Sequence, residues 1–326
     1  MMMRDSKIDF LKGIGILLVV LGHSISTLTQ PINQVILSFH MPLFFFCAGL
    51  TLKPIDAVNR KDFIVKKLKG IIGSQCIMGI LAFLYDGIFL YLILHKIGNN
   101  ELSIVAKGWF TQWFLPTLFM CDLLWVGINL LVKDLYSKSI CVILVLITVT
   151  VGYIVGNSDI NTILSIEKVP TALIFIILGF YTKAYLWDKV SILSLKKRGY
   201  ATLLLIIGAI CLVVLAWFNN PVEMYRNYYG CYGIFLITSI LGILVNIILV
   251  VLVRKNKIIE MFGRNSMIVF ATHFTAVKCV SSVITNIFER INLQSFAPFV
   301  VFGIVVCGEI VVIYVFNEVI KRKGKR

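Results

Sequence analysis

Ten apolar segments, each close to the length of a membrane-spanning helix, most constrain how this chain can fold. A helix needs about 20 apolar residues to cross a bilayer. Charged residues make up 14% of the chain, well below the roughly 25% of soluble domains. The sequence therefore predicts an all-α integral membrane protein of one domain, residues 1–326, with spans at 13–29, 35–52, 70–94, 109–132, 139–156, 169–187, 199–218, 234–253, 265–287 and 295–320.

The basic residues are unevenly distributed over the segments between these spans. With the N-terminus in the cytoplasm, 25 of the 31 lysines and arginines fall on cytoplasmic segments. Cytoplasmic loops of membrane proteins carry such an excess, so the asymmetry predicts ten transmembrane helices with both termini cytoplasmic. It also accounts for the net charge of +15 without nucleic acid as a partner. We expect a multi-pass protein of the cell (plasma) membrane, in contact with the lipid bilayer.

Three of the four histidines lie inside predicted spans: His23, His40 and His273. Polar groups are costly in a bilayer, so an ionisable residue there is a functional-site candidate. Histidine is also the side chain suited to moving protons near neutral pH. For each histidine alone, a hydrogen bond that joins two helices is the ordinary alternative.

The first span carries a polar stripe. Lys12 and His23 are 11 residues apart, which places them on one helix face about 16 Å from each other, and Asp9 lies on nearly the same face. A cation at the mouth and a base three turns deeper would suit an anionic carrier that enters from the cytoplasm. Alternatively, Lys12 extends to the interface and His23 only bridges helices.

The other two histidines are predicted to lie at a similar depth. A short turn between the first two spans brings His40 level with His23, and His273 lies nine residues beyond Arg264, roughly 13 Å along a helix. Ser266 shares the helix face of His273. Three histidines at one depth on three helices indicate a common polar pocket.

We therefore predict one continuous cavity that joins His23 to at least one of the other histidines. It should open to the cytoplasm near Lys12 and to the outer face near Trp113. Trp113 would line the acceptor pocket, or else belong to the aromatic belt at the membrane interface. Pro42, two residues after His40, should break the second helix beside this cavity and leave carbonyl groups lining it.

Three sequence motifs resemble those of a known family. They are RDSKIDFLKGIGILLVVLGH followed by FHMPLFFFCAGL, then QWFLPTLF at 112–119, and IIEMFGRNSMIVFATHF at 258–274. In order and spacing they resemble the acyltransferase 3 family of integral-membrane O-acyltransferases, over essentially the whole chain. The resemblance implies ten spans and transfer of an acyl group, usually acetyl from cytoplasmic acetyl-CoA, to a hydroxyl of an envelope carbohydrate or related acceptor. We expect no extracytoplasmic esterase-like domain.

The resemblance also implies roles for particular residues. His23 matches the essential histidine of the family's first helix, and Lys12 stands where the polysaccharide-modifying branch usually has arginine. Lysine keeps the charge but loses the bidentate fork of arginine. Together with the spacing arguments, the motifs predict catalytic residues His23, His273 and Asp122, cofactor-binding residues Lys12, Asp9, Ser266 and Arg264, and substrate-binding residues His40 and Trp113.

Further polar residues have two interpretations each. Asp122 could orient a histidine or pair with Lys278, and Glu309 could do the same. The basic loop Arg60–Lys69 could hold coenzyme A phosphates, although topology alone explains its charge. The tyrosines and asparagines of 219–233 could stack against sugars, but an aromatic belt is the interpretation that we favour.

The predicted reaction uses His23 as general base on the acceptor hydroxyl, because a hydroxyl is a poor nucleophile at neutral pH. Direct transfer is favoured over an acyl-histidine intermediate. A small-molecule transporter and a non-catalytic scaffold are the alternative functions. The eight cysteines show no metal-ligand spacing, so we expect no metal. The sequence leaves open which acceptor is used and whether the chain forms a homo-oligomer.

Overall fold

A computed structural model describes residues 5–25, 32–54, 60–84, 113–160, 162, 164–192, 198–253 and 255–323. Within these ranges the regular structure is helical, apart from one isolated antiparallel bridge between Glu223 and Tyr228. Numbered in chain order, the α-helices are α1 (Ser6–Ser24), α2 (Ile32–Thr51), α3 (Arg60–Leu84), α4 (Phe114–Leu131), α5 (Lys138–Val155), α6 (Val169–Tyr185), α7 (Trp187–Ile192), α8 (Arg198–Phe218), α9 (Tyr232–Val253), α10 (Lys257–Arg264), α11 (Ser266–Arg290) and α12 (Ala297–Lys323).

Seven described helices are long and apolar enough to cross a membrane: α2, α4, α5, α8, α9, α11 and α12 with the turn before it. The predicted segments 13–29, 70–94 and 169–187 correspond to α1, α3 and α6, which are not among these seven. An all-helical membrane protein is therefore confirmed. The count of ten spans and the position of both termini stay predictions.

The centre of the bundle is formed by α1, α2 and α6. Two thirds of the apolar window of α2 is buried, whereas α5 and α8 bury only 11% of theirs and turn their apolar side chains outward. Gly49 of α2 and Gly179 of α6 lie back to back, and a Cβ on either would collide with a carbonyl of the other helix. Small residues of this kind allow close helix packing in membranes.

Pro42 does not break α2, contrary to the prediction. The helix runs without interruption from Ile32 to Thr51. Proline has no N–H for the carbonyl four residues earlier, which belongs to Ser38. The Ser239 hydroxyl of α9 donates to that carbonyl at 2.8 Å. A hydroxyl from a neighbouring helix therefore satisfies the group that the proline leaves without its helical donor.

The short helix α10 crosses the first half of α1 at very close range. A Cβ at Gly263 would overlap the Asp9 carbonyl, and a Cβ at Gly13 would overlap the Ile259 carbonyl. Asn256 caps α10 by accepting the backbone N–H groups of Ile258 and Ile259. The backbones of α1 and α10 are thus in direct contact.

The polar segment 219–233 is held together by its own side chains. The Asn219 amide donates to the Tyr229 carbonyl and accepts the N–H of Cys231. Asn227 takes a left-handed backbone conformation, with φ of 57°, and donates to the Val155 carbonyl. Tyr229 is fully buried. Asn219, Asn227 and Tyr229 thus serve the packing of the segment, whereas Tyr225 and Tyr228 are exposed, so the aromatic belt stays a prediction for these two.

Candidate active site

The histidines of α1 and α11 are in contact. The ring centroids of His23 and His273 are 5.2 Å apart, and the ring of Phe274 meets His23 edge-on at 5.4 Å. The sequence placed His23 in the middle of a span at 13–29, but α1 ends at Ser24, so His23 lies in its last turn. The predicted pairing of the two histidines is present, at the end of the first helix.

His273 is oriented by its own helix. Its Nδ1 lies 2.9 Å from the Val269 carbonyl and 3.0 Å from the Phe270 carbonyl, so Nδ1 carries the proton and donates. In the neutral imidazole the lone pair is then on Nε2, which is buried and has no hydrogen-bond partner within the described ranges. A buried polar atom without a partner beside His23 is available to accept a proton or a hydrogen bond.

His40 belongs to the same region. It is buried on α2, and its Nδ1 lies 2.8 Å from the Ile36 carbonyl, the same local arrangement that orients His273. Of the three histidines, the structure thus brings His23 and His273 into ring contact, and His40 is not among the residues that line the cavity beside them.

A cavity of about 270 Å³ lies beside His23. It extends along α11 towards the start of α12. His273, His40, Lys12 and Trp113 are not among its lining residues. This cavity therefore does not join His23 to a second histidine, and it reaches neither Lys12 nor Trp113, where the two openings were predicted. The lining residues are His23, Ser24, Phe274, Val277, Lys278, Ser281, Thr285, Pro298 and Val301.

Trp113 is not at a mouth of this cavity. It precedes α4 and packs against Phe45, with ring centroids 6.2 Å apart. Its neighbour Phe114 contacts Phe270 at 5.3 Å, and Phe270 contacts His273 at 5.9 Å. The W-F-L segment is thus connected to the histidine pair through aromatic rings.

The predicted cofactor-binding residues lie at the other end of α1. Lys12 is half-buried in the same unbroken helix as His23, and Asp9 is buried where α10 crosses. Arg264 ends α10, with its guanidinium 3.9 Å from the Glu260 carboxylate, and Ser266 begins α11. The crossing of α10 over α1 therefore gathers the predicted donor-side residues at one end of the bundle.

Comparison with known protein families matches residues 5–318 to the acyltransferase 3 domain family. The chain belongs to this family. No curated protein matches the chain, and no solved structure does. The family assignment and the apolar helices together describe a multi-pass membrane acyltransferase, and they give no support to the transporter alternative.

Asp122 of the acyltransferase pairs with Lys67 of α3, at 3.0 Å, and not with Lys278 as one interpretation expected. Its second carboxylate oxygen, Oδ2, is buried without a hydrogen-bond partner within the described ranges. The segment Arg60–Lys69 is also not a loop. It forms the first turns of α3, because lysine and arginine are good helix formers. That helix carries the lysine that reaches Asp122.

Glu309 of the acyltransferase faces α11. It is buried on α12, and both carboxyl oxygens lie within hydrogen-bond distance of the Thr272 hydroxyl, at 2.8 and 2.7 Å. Neither Thr272 nor the rings of Phe270 and Phe274, which contact the histidines, were predicted from the sequence as part of the site. All three lie within four residues of His273 in the C-terminal motif, and this position could have indicated them as site residues.

Proposed function

We propose that this protein transfers an acyl group, in the first instance acetyl, from cytoplasmic acyl-CoA to a hydroxyl of a cell-envelope carbohydrate or related acceptor, at the plasma membrane. One observation carries the proposal. The side chain of His23 is accessible from a cavity and contacts His273, whose Nε2 is buried and has no hydrogen-bond partner among the residues that the structure describes. In this arrangement His23 can act as a base, and His273 is a second base in contact with it.

The reaction needs a group that removes the hydroxyl proton as the new bond forms. A nitrogen of His23 takes that proton, the hydroxyl oxygen bonds to the thioester carbon, and the carbon–sulfur bond breaks. The His23 imidazolium then gives its proton to the departing thiolate, so His23 returns to the neutral form and the charges balance. His273 offers Nε2 to the second nitrogen of His23, which stabilises the imidazolium. A positioned base of this kind contributes about 10²–10⁴-fold to a rate.

The donor approaches from the Lys12 end. Its phosphates are anionic, and Lys12 supplies a point charge rather than a bidentate fork. A coenzyme A molecule bound there would extend its thioester along α1 towards His23, about 16 Å away. The distance suits a long carrier arm better than a compact acyl donor.

Direct transfer is the proposed route, and an acyl-histidine intermediate is the alternative. The two routes differ when the acceptor is withheld. On the direct route, radiolabelled acetyl-CoA leaves no label on the protein. On the covalent route, label accumulates on a histidine peptide and is released by acceptor.

The test of the proposal is His23→Ala. In purified protein, we expect transfer of acetyl from acetyl-CoA to fall by about 10²–10⁴-fold while acetyl-CoA binding persists. Thr202→Ala, on the outward helix α8, is the matched control and should transfer normally. Transfer by His23→Ala within a few-fold of the natural chain would show that His23 is not the base.

A further inference from the structure

We infer that the cavity between α11 and α12 is the acceptor pocket, and that it accepts a compact hydroxyl compound carrying an anionic group. The inference rests on the proposed function, since it takes His23 as the base. It places the acceptor in a part of the molecule that the sequence motifs did not indicate. It also requires an anionic group on the acceptor, which acyl transfer by itself does not require.

The cavity lies on the far side of the histidine pair from the donor. Both α1 and α11 start near the crossing of α10, where Gly263 contacts Asp9. Beyond His273, α11 continues away from that crossing, and its cavity-lining residues extend to Thr285, about three turns further. Donor and acceptor would therefore meet at His23 from opposite directions.

The size of the cavity limits the acceptor. Pockets for small molecules usually measure about 300–1,000 Å³, and this one measures about 270 Å³. It can hold a unit of about one sugar ring. Apolar contacts come from Val277, Pro298 and Val301, so one face of the bound unit would be packed against carbon.

Besides Val277, α11 contributes polar side chains to the lining. Phe274, Lys278, Ser281 and Thr285 occupy one face of α11, because they are three or four residues apart. Among the described residues that line the cavity, Lys278 is the cationic one. The Lys278 ammonium lies 4.6 Å from the ring centroid of Phe274, and that ring also contacts His23. A bound anion and a reacting hydroxyl would thus flank Phe274.

A lysine ammonium is a point charge, so it does not select between carboxylate and phosphate. The shared feature is an anionic group close to a hydroxyl, as in a uronic acid, a sugar phosphate or the glycerol phosphate of a lipid headgroup. Ser281 and Thr285 supply hydroxyl groups that can hydrogen-bond the remaining polar atoms of the acceptor.

Binding can be measured at His23 without any turnover. The purified protein, in phosphatidylcholine nanodiscs, is treated with diethyl pyrocarbonate, and modification of the His23 peptide is followed by mass spectrometry. Glucose, glucuronate and glucose 6-phosphate are added as probes that share one ring. A second set of nanodiscs contains phosphatidylglycerol, which tests the lipid headgroup as the source of the anion.

We expect the two anionic probes, or phosphatidylglycerol, to protect His23 at concentrations about tenfold below glucose. Lys278→Met should remove this difference, Lys278→Arg should keep it, and Lys257→Met, at the start of α10, should leave it unchanged.

Equal protection by glucose and the anions would contradict the charge requirement. Absence of protection by every probe, in protein that binds acetyl-CoA, would contradict the acceptor pocket. If the natural chain does not bind acetyl-CoA, although the anionic probes protect His23, the result would instead contradict the proposed function.

Discussion

Lys12 is the residue through which the proposed donor site can be tested. It lies three turns from His23 in an unbroken helix, so its effect on the chemical step should be small. We expect Lys12→Ala to weaken acetyl-CoA binding by about tenfold, the loss of one charge-assisted contact, and Lys12→Arg to retain most of it. Calorimetry on the purified protein measures this directly, with Lys138→Ala at the start of α5 as control. Normal donor binding by Lys12→Ala would leave Lys12 as a topological anchor.

Asp5 fixes the beginning of α1 to the helices behind it. Its carboxylate accepts hydrogen bonds from the Lys183 ammonium at 3.1 Å and from the Trp187 indole at 2.7 Å, and it caps α1 through the N–H of Lys7. Partial burial raises the pKa of Asp5, but the hydrogen bonds from Trp187 and Lys183 outweigh it, so the pKa lies below its ordinary value.

Because the pKa of Asp5 is lower in the folded protein, its contribution to stability is fully present above the unfolded-state value of about 3.9. The contribution is lost as the pH falls through the folded-state pKa. We expect the natural chain to unfold at a higher temperature than Asp5→Asn at pH 6, and the difference to shrink towards pH 3. Thermal unfolding of both proteins across this range is the measurement. A constant difference would show that the charge of Asp5 is not involved.

The sequence separation between residues predicted which of them share a helix face. It did not predict which neighbouring helix packs against that face. The histidines were found because they stand in apolar surroundings, where any polar group is conspicuous. Lys67 was missed as the partner of Asp122, since the pair depends on how α3 is rotated against α4. Thr272 was missed for a similar reason, because its carboxyl partner comes from α12.

At the scale of helices, α2 is the case in which local rules were insufficient. Pro42 should interrupt it, and it does not, because the Ser239 hydroxyl satisfies the Ser38 carbonyl. The existence of helices was predictable from apolar length, whereas their ends and continuity depend on contacts that are distant in sequence. The first turns of α3, expected as a loop at Arg60–Lys69, are a second example.

The contact between Ser239 and α2 can be tested by a double-mutant cycle. Ser239→Ala leaves the Ser38 carbonyl without its hydroxyl donor and should cost about 1–3 kcal/mol of unfolding free energy. In Pro42→Ala, the new N–H can bond that carbonyl within the helix. The Ser239→Ala substitution should therefore cost much less in the Pro42→Ala background. Unfolding in mixed detergent gives both values, and equal costs in the two backgrounds would show that Ser239 stabilises α2 in some other way.

At the scale of the whole molecule, the distribution of lysine and arginine predicts an even number of spans. Cys231 is exposed in the segment 219–233, which should face outward. In a variant that retains only this cysteine, a membrane-impermeant maleimide should label it in intact cells, and a reporter fused after Arg326 should be protected until the membrane is permeabilised. Labelling only after permeabilisation, or an external reporter, would contradict the predicted topology.

The direct contact of α10 with α1 has a consequence for the reaction rate. Only Asn265 separates α10 from α11, so a shift of α10 along α1 should also move His273, about 12 Å beyond Asn265. The distance between the two imidazoles should therefore depend on a crossing at the donor end of α1, away from both histidines. Glycine at 13 and 263 permits this close crossing, because a Cβ at either position would overlap a carbonyl of the other helix. We therefore expect a bulkier side chain there to displace α10 and, with it, to separate the two bases.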